Sequence, residues 1–284
     1  MNNKLISVII PVYNEGKVVG ECLKSLDGQS YRPIEIIVVD DGSTDKTIEI
    51  IKNCQLSTVN CQLFRQKHLG PGPARNLGAS YAKGDILVFV DADMTFDKNF
   101  IRDLVAPIIK GQTIGTFSKN EMNANADNIW SKCWNINRGW PIERLIPPDY
   151  PSTAPVYRAI LKSEFVKVGG FDATGEYTDD WSLWRKLGKK STLAKGAIYY
   201  HLNPSTLSEV WKQARWIGKN EFISGTAIRK IKSLIFYSLP IAFVVGLFKS
   251  VARGQLSFVV FKLIYNLAVF FSVIGSFFNE PKAK

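Results

Sequence analysis

The sequence predicts an α/β fold with a mostly parallel sheet, followed by an apolar helical hairpin at the C-terminus. Short apolar, β-branched runs alternate with stretches of helical spacing over the first hundred residues. Such continuous apolar strands, separated by helices, are typical of a parallel sheet that helices cover on both faces. Beyond residue 220 the chain becomes apolar and basic, which indicates helices in or on a membrane.

The individual elements follow from these patterns. Apolar runs predict strands at residues 5–10, where Pro11 is expected to end the strand, and at 35–39, 86–90, 156–160 and 192–200. Helical spacing predicts helices at residues 18–26, 46–53, 179–189 and 207–218. The path of residues 119–150 is not predicted. We expect one folded domain at residues 1–220 and membrane-associated helical segments at 221–284.

Two apolar segments follow near the C-terminus. Residues 233–248 carry no charge but contain Pro240, and residues 256–278 carry one charge, Lys262. A membrane-spanning helix needs about 20 apolar residues. The second segment therefore qualifies if Lys262 reaches the interface, while the first is short and is expected to be re-entrant or to lie flat. A buried helical hairpin in a soluble protein is the alternative.

The positive charge is concentrated in the same region. Of the net charge of +11, residues 205–284 supply 11 Lys and Arg against 3 Glu, a net of +8. These cations flank the apolar segments, which suits an anionic lipid surface better than a nucleic acid. The four cysteines lack CxxC or metal-ligand spacing, and the N-terminus lacks a signal-peptide pattern. We therefore expect reduced thiols and a cytoplasmic location for the first domain.

Polar residues follow each of the first three predicted strands. Because ligands bind beyond the carboxyl ends of parallel strands, these residues are the candidates for a site. Asp91 and Asp93 follow the third strand, and in an extended chain both carboxylates would face one crevice. Paired carboxylates with open positions suit Mg²⁺ or Mn²⁺ that also holds a diphosphate. An isolated Asp-x-Asp is otherwise more often a turn that caps a helix.

The second strand is followed by a further acidic segment. Asp40 and Asp41 could accept hydrogen bonds from the N–H of a base or from a ribose hydroxyl, while Ser43 or Thr44 is expected to cap the next helix. The Gly-rich segment at residues 70–76 enters a helix and contains Arg75, which could reach a phosphate.

Together these motifs resemble family 2 glycosyltransferases with the GT-A fold. The resemblance covers about residues 5–218 and includes, in order, SVIIPVYNE, VVDDGSTD, GPARNLGA, GDILVFVDADM, GGFD, TDDWSLWRKLG and an RW pair. The nucleotide contacts that it implies are Pro11, Tyr13, Glu15, Asp41 and Arg75. It also implies that Asp91 and Asp93 hold the metal and the ribose-diphosphate, and that the anomeric carbon is inverted in a single displacement.

The resemblance assigns further roles downstream. The family places an acidic pair where this chain has Asp179 and Asp180, with Asp180 as the general base; the family usually has Glu at the position of Asp179. His201 matches an additional metal or diphosphate ligand. Arg215 and Trp216 match the RW of the QxxRW signature, but Gln213 lies one residue too close, which argues against processive polymerisation.

We therefore expect a metal-dependent transferase that uses a UDP- or GDP-sugar and a hydroxyl of a lipid-linked or cell-envelope glycan. The alternative enzyme is a polyprenyl-phosphate sugar synthase, whose acceptor is already an anion and needs no base. A sugar-nucleotide pyrophosphorylase lacks support, because no Gly-rich NTP loop occurs near residue 15. A non-catalytic lipid or nucleic-acid binder would leave the acids at the strand ends unexplained.

Overall fold

The structure is a computed structural model that describes residues 4–172, 179–222 and 226–278; of residues 179–180 and 220–221 it describes the backbone. The strands are β1 (Ile6–Val12), β2 (Ile34–Asp40), β3 (Asn60–Arg65), β4 (Ile86–Phe89), β5 (Met94–Phe96), β6 (Gly115–Phe117), β7 (Asn120–Asn123), β8 (Thr153–Ala154), β9 (Ala159–Leu161), β10 (Ser191–Leu193) and β11 (Ile198–His201). The helices are α1 (Val19–Asp27), α2 (Thr47–Asn53), α3 (Pro71–Tyr81), α4 (Phe100–Ile109), α5 (Ile129–Arg138), α6 (Lys162–Lys167), α7 (Asp179–Leu187), α8 (Leu207–Glu221), α9 (Ala227–Phe236), α10 (Leu239–Arg253) and α11 (Ser257–Gly275).

An eight-stranded sheet with the order β3-β2-β1-β4-β9-β6-β10-β8 forms the centre of the first part of the chain. Strands β3, β2, β1 and β4 are parallel, β9 runs antiparallel to both β4 and β6, and β10 pairs parallel with β6. A second sheet has the order β5-β11-β7. The predicted α/β class with a mostly parallel sheet is therefore confirmed.

Both faces of the large sheet are buried. One face packs Val8, Ile36 and Val88 against α1 and α4, and the other packs Ile9, Ile37 and Phe89 against α3. Helix α3 approaches the sheet closely at Gly78, where an added Cβ would lie 2.6 Å from Ile9 Cγ2. The close approach fixes the position of α3 and of the residues at its N-terminus.

Three predicted strands differ from the observed ones, and the strand expected at residues 156–160 is the shorter β9 at Ala159–Leu161. The first does not end at Pro11 but continues to Val12. Its pairing with β4 ends at Ile9, so Pro11, which has no N–H, lies where β1 pairs only with β2. The predicted strand at residues 192–200 is two strands, β10 and β11, and Gly196 between them has a φ of +88°.

The Cα positions divide the chain into two compact units. The first contains the residues up to Glu121 and Pro148–Tyr200, and the second contains Met122–Pro147 and the residues from His201 onward. In the second unit α8 groups with α9, α10 and α11. The predicted domain boundary at residue 220 stays a prediction.

The C-terminal helices form the apolar part of the second unit. Among the described residues, Ser257–Gly275 is the one helix that is long and apolar enough to cross a membrane by itself. Helices α9 and α10 meet that criterion only as a pair, and the pair is bent by 52°. Length and composition alone do not distinguish a span from a buried core helix.

Candidate active site

The candidate site lies at the carboxyl edge of β1, β2 and β4. The three strands are parallel and neighbouring, and their register pairs Val12 with Asp40 and Ile9 with Phe89. The polar segments that follow the strands therefore begin at the same edge of the sheet. The predicted site residues Pro11, Tyr13, Glu15, Asp40, Asp41, Arg75, Asp91 and Asp93 all belong to the first unit.

Asp91 lies between two arginines. Arg75 Nη2 lies 2.8 Å from Asp91 Oδ1, and Arg158 Nη1 lies 3.3 Å from Asp91 Oδ2. The Arg75 side chain is 8% exposed, that of Arg158 is 16% exposed, and Asp91 is one-third exposed. Two guanidinium groups thus share one carboxylate at the sheet edge. Guanidinium groups are well suited to hydrogen-bond phosphate oxygens.

The position of Arg158 was not predicted from the sequence. Arg158 precedes β9, and its carbonyl accepts a hydrogen bond from the Phe89 N–H at 2.9 Å, next to the end of β4. Its guanidinium lies 5.5 Å from the centre of the Tyr199 ring, and the Tyr199 hydroxyl donates to Glu121 Oε2 at 2.9 Å. Burial, followed by the Glu121 carboxylate, raises the pKa of Tyr199 well above its ordinary value. The Tyr199 phenol therefore stays protonated and neutral, and the Arg158 guanidinium packs over its ring.

The Asp91-Ala92-Asp93 segment is a turn and not an extended chain. Strand β4 ends at Phe89, and the Met94 N–H donates to the Asp91 carbonyl at 3.3 Å. The expectation that alternation along a strand aligns the two carboxylates is therefore wrong, because the chain reverses directly after β4. Cys22 packs beneath this turn, with Sγ 3.7 Å from the Asp91 carbonyl oxygen, and burial raises the pKa of its thiol far above the ordinary value. The thiol is thus unsuited to act as a nucleophile.

The residues of this turn are suited to a divalent cation that is bound together with a nucleotide. Among the described residues no three His, Cys, Asp or Glu side chains form a ready-made metal site. Mg²⁺ and Mn²⁺ bound with a nucleotide need only one or two carboxylates, because the phosphates and water complete the coordination. Asp91 and Asp93 are partly exposed hard-oxygen donors of this kind. Their chemistry fits a cation that arrives with a diphosphate.

Asp41 is buried, and its carboxylate holds the loop that leads to α3. Oδ1 accepts from Gln66 Nε2 at 2.7 Å and from the Leu69 N–H at 2.9 Å. Oδ2 accepts from the Gly70 N–H at 2.9 Å and lies 2.9 Å from His68 Nδ1. Four partners occupy the acceptor positions of a carboxylate. The predicted contact between Asp41 and a nucleoside stays a prediction, and a base would have to compete with these partners.

Asp40 is fully buried at the end of β2. Its Oδ1 accepts from the Ser43 N–H at 3.1 Å, and Arg65 Nε lies 3.0 Å from its Oδ2. The expected capping of α2 by Ser43 or Thr44 is wrong: α2 begins at Thr47 after Lys46, which makes no side-chain cap. Ser43 Oγ instead accepts from the Asn14 N–H at 2.9 Å. Asp40 therefore orders the acidic loop against the end of β1.

Tyr13 presents a ring at the same edge. It is 41% exposed and stacks on His68, with the ring centres 4.0 Å apart and the planes inclined by 22°. A partly exposed aromatic ring is a platform on which a base can stack. Glu15 is fixed through its backbone, because its N–H donates to Thr47 Oγ1 at 2.8 Å. Pro11 lies in β1 and is half-buried.

Helix α7, which contains the acidic pair, belongs to the first unit. Helix α7 begins at Asp179, and the side chains of Asp179 and Asp180 lie outside the described part of the structure. Asn76 donates to the Phe171 carbonyl and accepts from the Phe171 N–H, both at 2.9 Å. Asp172 Oδ1 lies 2.7 Å from Lys186 Nζ of α7. The Asn76 and Lys186 contacts hold the chain on both sides of the acidic pair.

The remaining predicted residues belong to the second unit. His201 is half-buried at the end of β11, and its carbonyl accepts from the Ala124 N–H at 3.0 Å. Arg215 is exposed and Trp216 is half-buried, and both lie on α8. The Arg215 carbonyl accepts from Ser272 Oγ at 2.9 Å, which ties α8 to α11.

The sequence of the chain matches that of a described family. The sequence model of Glycosyl transferase family 2 matches residues 7–165. Glycosyltransferase GlyA of Streptococcus pneumoniae serotype 4 is 36% identical over 230 residues, which cover 75% of this chain and 32% of GlyA. The chain spans 32 to 38% of the length of this and three other curated relatives.

Two solved structures have similar folds. S. aureus TarS 1–349 in complex with UDP-GlcNAc has a TM-score of 0.56 at 18% identity, over 95% of this chain and 91% of that one. The mannosyltransferase PcManGT from Pyrobaculum calidifontis, in complex with GDP-Man and Mn²⁺, has a TM-score of 0.56 at 18% identity, over 92% and 86% of the two chains. At these identities the likeness concerns the fold, and it confirms the GT-A class that the motifs imply.

Proposed function

Because the chain belongs to glycosyl transferase family 2, we propose that it transfers a sugar from a nucleoside-diphosphate donor to a hydroxyl of a lipid-linked or cell-envelope glycan. The observation that carries the proposal is the pairing of Asp91 with Arg75 and Arg158 beyond the carboxyl ends of β1, β2 and β4. This combination offers cations for a diphosphate and a carboxylate for a metal or ribose at the edge where such sheets bind ligands.

The donor would lie along this edge. The Tyr13 ring is a platform for the base, and UDP- and GDP-sugars are the donor classes that we propose. Arg75 and Arg158 would bind the diphosphate, and Asp91 would hold the metal and the ribose-diphosphate. The loops at the ends of β1 and β2 would form the nucleoside site, and their residues Pro11, Glu15, Asp40 and Asp41 would contribute to it. Arg215 and Trp216 of α8 are proposed as further donor contacts.

A divalent cation, Mg²⁺ or Mn²⁺, is the proposed cofactor, with Asp91, Asp93 and His201 as its protein ligands. When bound, it offsets the charge that develops on the departing nucleoside diphosphate. The two carboxylates support this assignment, because they lie in one turn beside two arginines that suit phosphate.

The acceptor hydroxyl must lose its proton as the glycosidic bond forms. We propose Asp180 as the base that takes this proton, with Asp179 beside it, in a single displacement that inverts the anomeric carbon. The position of α7 supports the assignment, because the helix belongs to the same unit as Asp91 and its Lys186 pairs with Asp172. A polyprenyl phosphate is already ionised and would need no such base, so a base-independent reaction would favour that acceptor.

The proposed location is the membrane, with the first unit on the cytoplasmic side where nucleotide sugars are available. The domain arrangement that we propose is a catalytic part at residues 1–220 followed by membrane-associated helices at 221–284. The apolar and basic C-terminal helices support it.

The proposal is tested by measuring the binding and hydrolysis of UDP- and GDP-sugars by the full chain, with Mn²⁺ and with chelator. We expect Asp93→Asn to abolish turnover and to weaken donor binding much more in Mn²⁺ than in chelator. His201→Ala should cause a milder form of the same defect, because one of several ligands is lost. Asp85→Asn is the matched control, since Asp85 is exposed at the opposite end of the same strand. Equal donor affinity of Asp93→Asn and wild type under both conditions would remove this metal site.

A further inference from the structure

Helix α10 has its small residues on the inside and its large apolar residues on the outside. Ala242, Gly246 and Ser250 form its buried face, and an added Cβ at Gly246 would lie 3.3 Å from Val259 Cα of α11. The outer face is formed by residues that are 47 to 74% exposed, namely Leu239, Phe243, Val244, Leu247, Phe248 and Val251. A helix that faces water has the reverse arrangement. The outer face of α10 therefore requires an apolar partner.

Helix α9 continues this surface and adds positive charge. None of its residues is buried, and Ile228, Ile231, Ile235 and Phe236 are 53 to 67% exposed. Arg229 and Lys232 are exposed on the same side of the helix, between and beside these apolar residues. Apolar side chains flanked by cations are typical of a helix that lies in the interface of a membrane.

The cations of α9 border a cavity that is largely open to solvent. It has a volume of about 600 Å³ and is lined by Arg229, Lys232 and Ser233 together with the rings of Phe222 and Phe236. The guanidinium of Arg229 lies 5.4 Å from the centre of the Phe222 ring. Two cations and a hydroxyl can bind a phosphate, while the rings border the glycerol and the first methylenes of a lipid. The cavity therefore suits a phospholipid headgroup.

Helix α11 packs against α5, α8, α9 and α10 in the second unit. Near one end, Lys262 is buried and its Nζ donates to Asn137 Oδ1 at 2.8 Å. Near the other, Ser272 Oγ donates to the carbonyl of Arg215, whose side chain is exposed on α8. If α11 crossed a bilayer, α5 and α8 would enter the hydrocarbon together with their charged residues, at a cost of several kcal/mol for each charge.

The charge of this surface favours a lipid over a second copy of the chain. Residues 222–279 contain no Asp or Glu and six Lys or Arg. Two copies that paired through α9 and α10 would bring together two surfaces that carry cations and no carboxylates, and like charges repel. An anionic bilayer would neutralise the same cations, each with a contribution of about 1 kcal/mol.

We propose that the outer faces of α9 and α10 lie flat on an anionic phospholipid bilayer, that the cavity at Arg229 and Lys232 binds a headgroup phosphate, and that α11 does not cross the membrane. The surface defined by α9, α10 and this cavity is the attachment site of the protein. This rests on the membrane location proposed above and specifies its chemistry and geometry, and it does not depend on sugar transfer.

The test is flotation of the full chain with vesicles of phosphatidylcholine alone and with vesicles that also contain phosphatidylglycerol. We expect strong binding to the anionic vesicles, weaker binding at high salt, and release by alkaline carbonate. Arg229→Gln with Lys232→Gln should weaken binding to anionic vesicles about thirtyfold, because two contributions of about 1 kcal/mol are lost. Lys98→Gln with Lys110→Gln is the control with the same change of charge, since both lysines are exposed on the first unit.

Three results would overturn the proposal: equal binding to the two kinds of vesicle, retention after alkaline extraction, or a lipid-independent dimer that Phe243→Gln with Phe248→Gln dissociates. UDP binding by the Arg229 and Lys232 double variant should equal that of wild type. Loss of vesicle binding with normal UDP binding therefore concerns the attachment site, whereas failure of the donor site would appear in UDP binding alone.

Discussion

Arg158 and Asp91 form an ion pair across the edge of the sheet, with Nη1 3.3 Å from Oδ2, although 67 positions separate the two residues. The pair exists because β9 lies antiparallel beside β4 and brings its preceding residue to the end of that strand. Asp91 is at the same time 2.8 Å from Arg75. Its carboxylate therefore holds both guanidinium groups at this edge of the sheet.

The first prediction concerns Arg158. Arg158→Gln removes one of two cations from the proposed diphosphate site, and a hydrogen bond to a charged group contributes about 1.5–3 kcal/mol. We expect the Kd for UDP, measured by titration calorimetry, to rise at least about tenfold. Arg102→Gln should leave it unchanged, because Arg102 pairs with Asp103 on the surface of α4. Wild-type affinity in a folded Arg158→Gln protein would exclude a role in donor binding.

The second prediction concerns the proposed base. Asp180→Asn keeps the size of the side chain and removes its charge, so donor affinity should stay near that of wild type. Transfer to a hydroxyl acceptor should fall by at least about a hundredfold, because a positioned base contributes about 10²–10⁴-fold to such a step. Product formation and nucleotide binding are measured on the same preparation. Transfer at a near-normal rate would instead favour a polyprenyl phosphate as the acceptor.

A third prediction concerns pH and the anchoring of α7. The hydrogen bond from Lys186 lowers the pKa of Asp172; burial opposes this, and Arg185 adds to the lowering. Because the folded pKa is lowered, the pair stabilises the fold above the unfolded pKa of about 3.9 and loses its effect as the pH falls through the folded pKa.

Asp172→Asn should therefore cost up to about 1 kcal/mol of unfolding free energy at pH 7, the scale of a partly exposed ion pair. The difference from wild type should shrink below about pH 4. Urea unfolding at several pH values measures it, and Asp85→Asn is the exposed control. A pH-independent difference would show that the effect arises from packing and not from the charge of Asp172.

A fourth prediction compares two glycines. At Gly78 a methyl group would meet Ile9 Cγ2 at 2.6 Å and Val39 Cγ2 at 3.2 Å, so Gly78→Ala should destabilise the fold by about 1–3 kcal/mol. Gly20 of α1 has its nearest neighbour, Ile50 Cγ2, at 3.5 Å. Gly20→Ala should be neutral or stabilise by up to about 1 kcal/mol. Urea unfolding measures both. Equal stability of the two variants would contradict the close approach of α3 to the sheet.

The parts of the fold that were predicted are those in which the local pattern and the tertiary environment agree. Strands β1, β2 and β4 are buried on both faces, so their apolar runs are visible in the sequence. Strand β3 was missed because it is an edge strand and is only partly buried, so it retains polar residues such as Asn60 and Gln62.

The site was predicted in part for a similar reason. The residues that directly follow a predicted strand, such as Tyr13 and Asp91, lie at the carboxyl edge of the parallel strands, as expected. Arg158 was missed because its position depends on an antiparallel pairing between strands far apart in the chain. The four partners of Asp41 were missed as well, because all four belong to the 66–70 loop, whose path no periodic pattern specifies.

Arg75 and Asn76 are joined by one peptide bond at the start of α3, yet their side chains serve different parts of the site. Arg75 holds Asp91, and Asn76 holds Phe171 in the segment that leads to α7. A substitution that rotates or shifts this single helical turn would displace both contacts together. In the proposed enzyme, a change in this turn of α3 would therefore disturb the donor side and the acceptor side at once, because the two contacts cannot be altered separately.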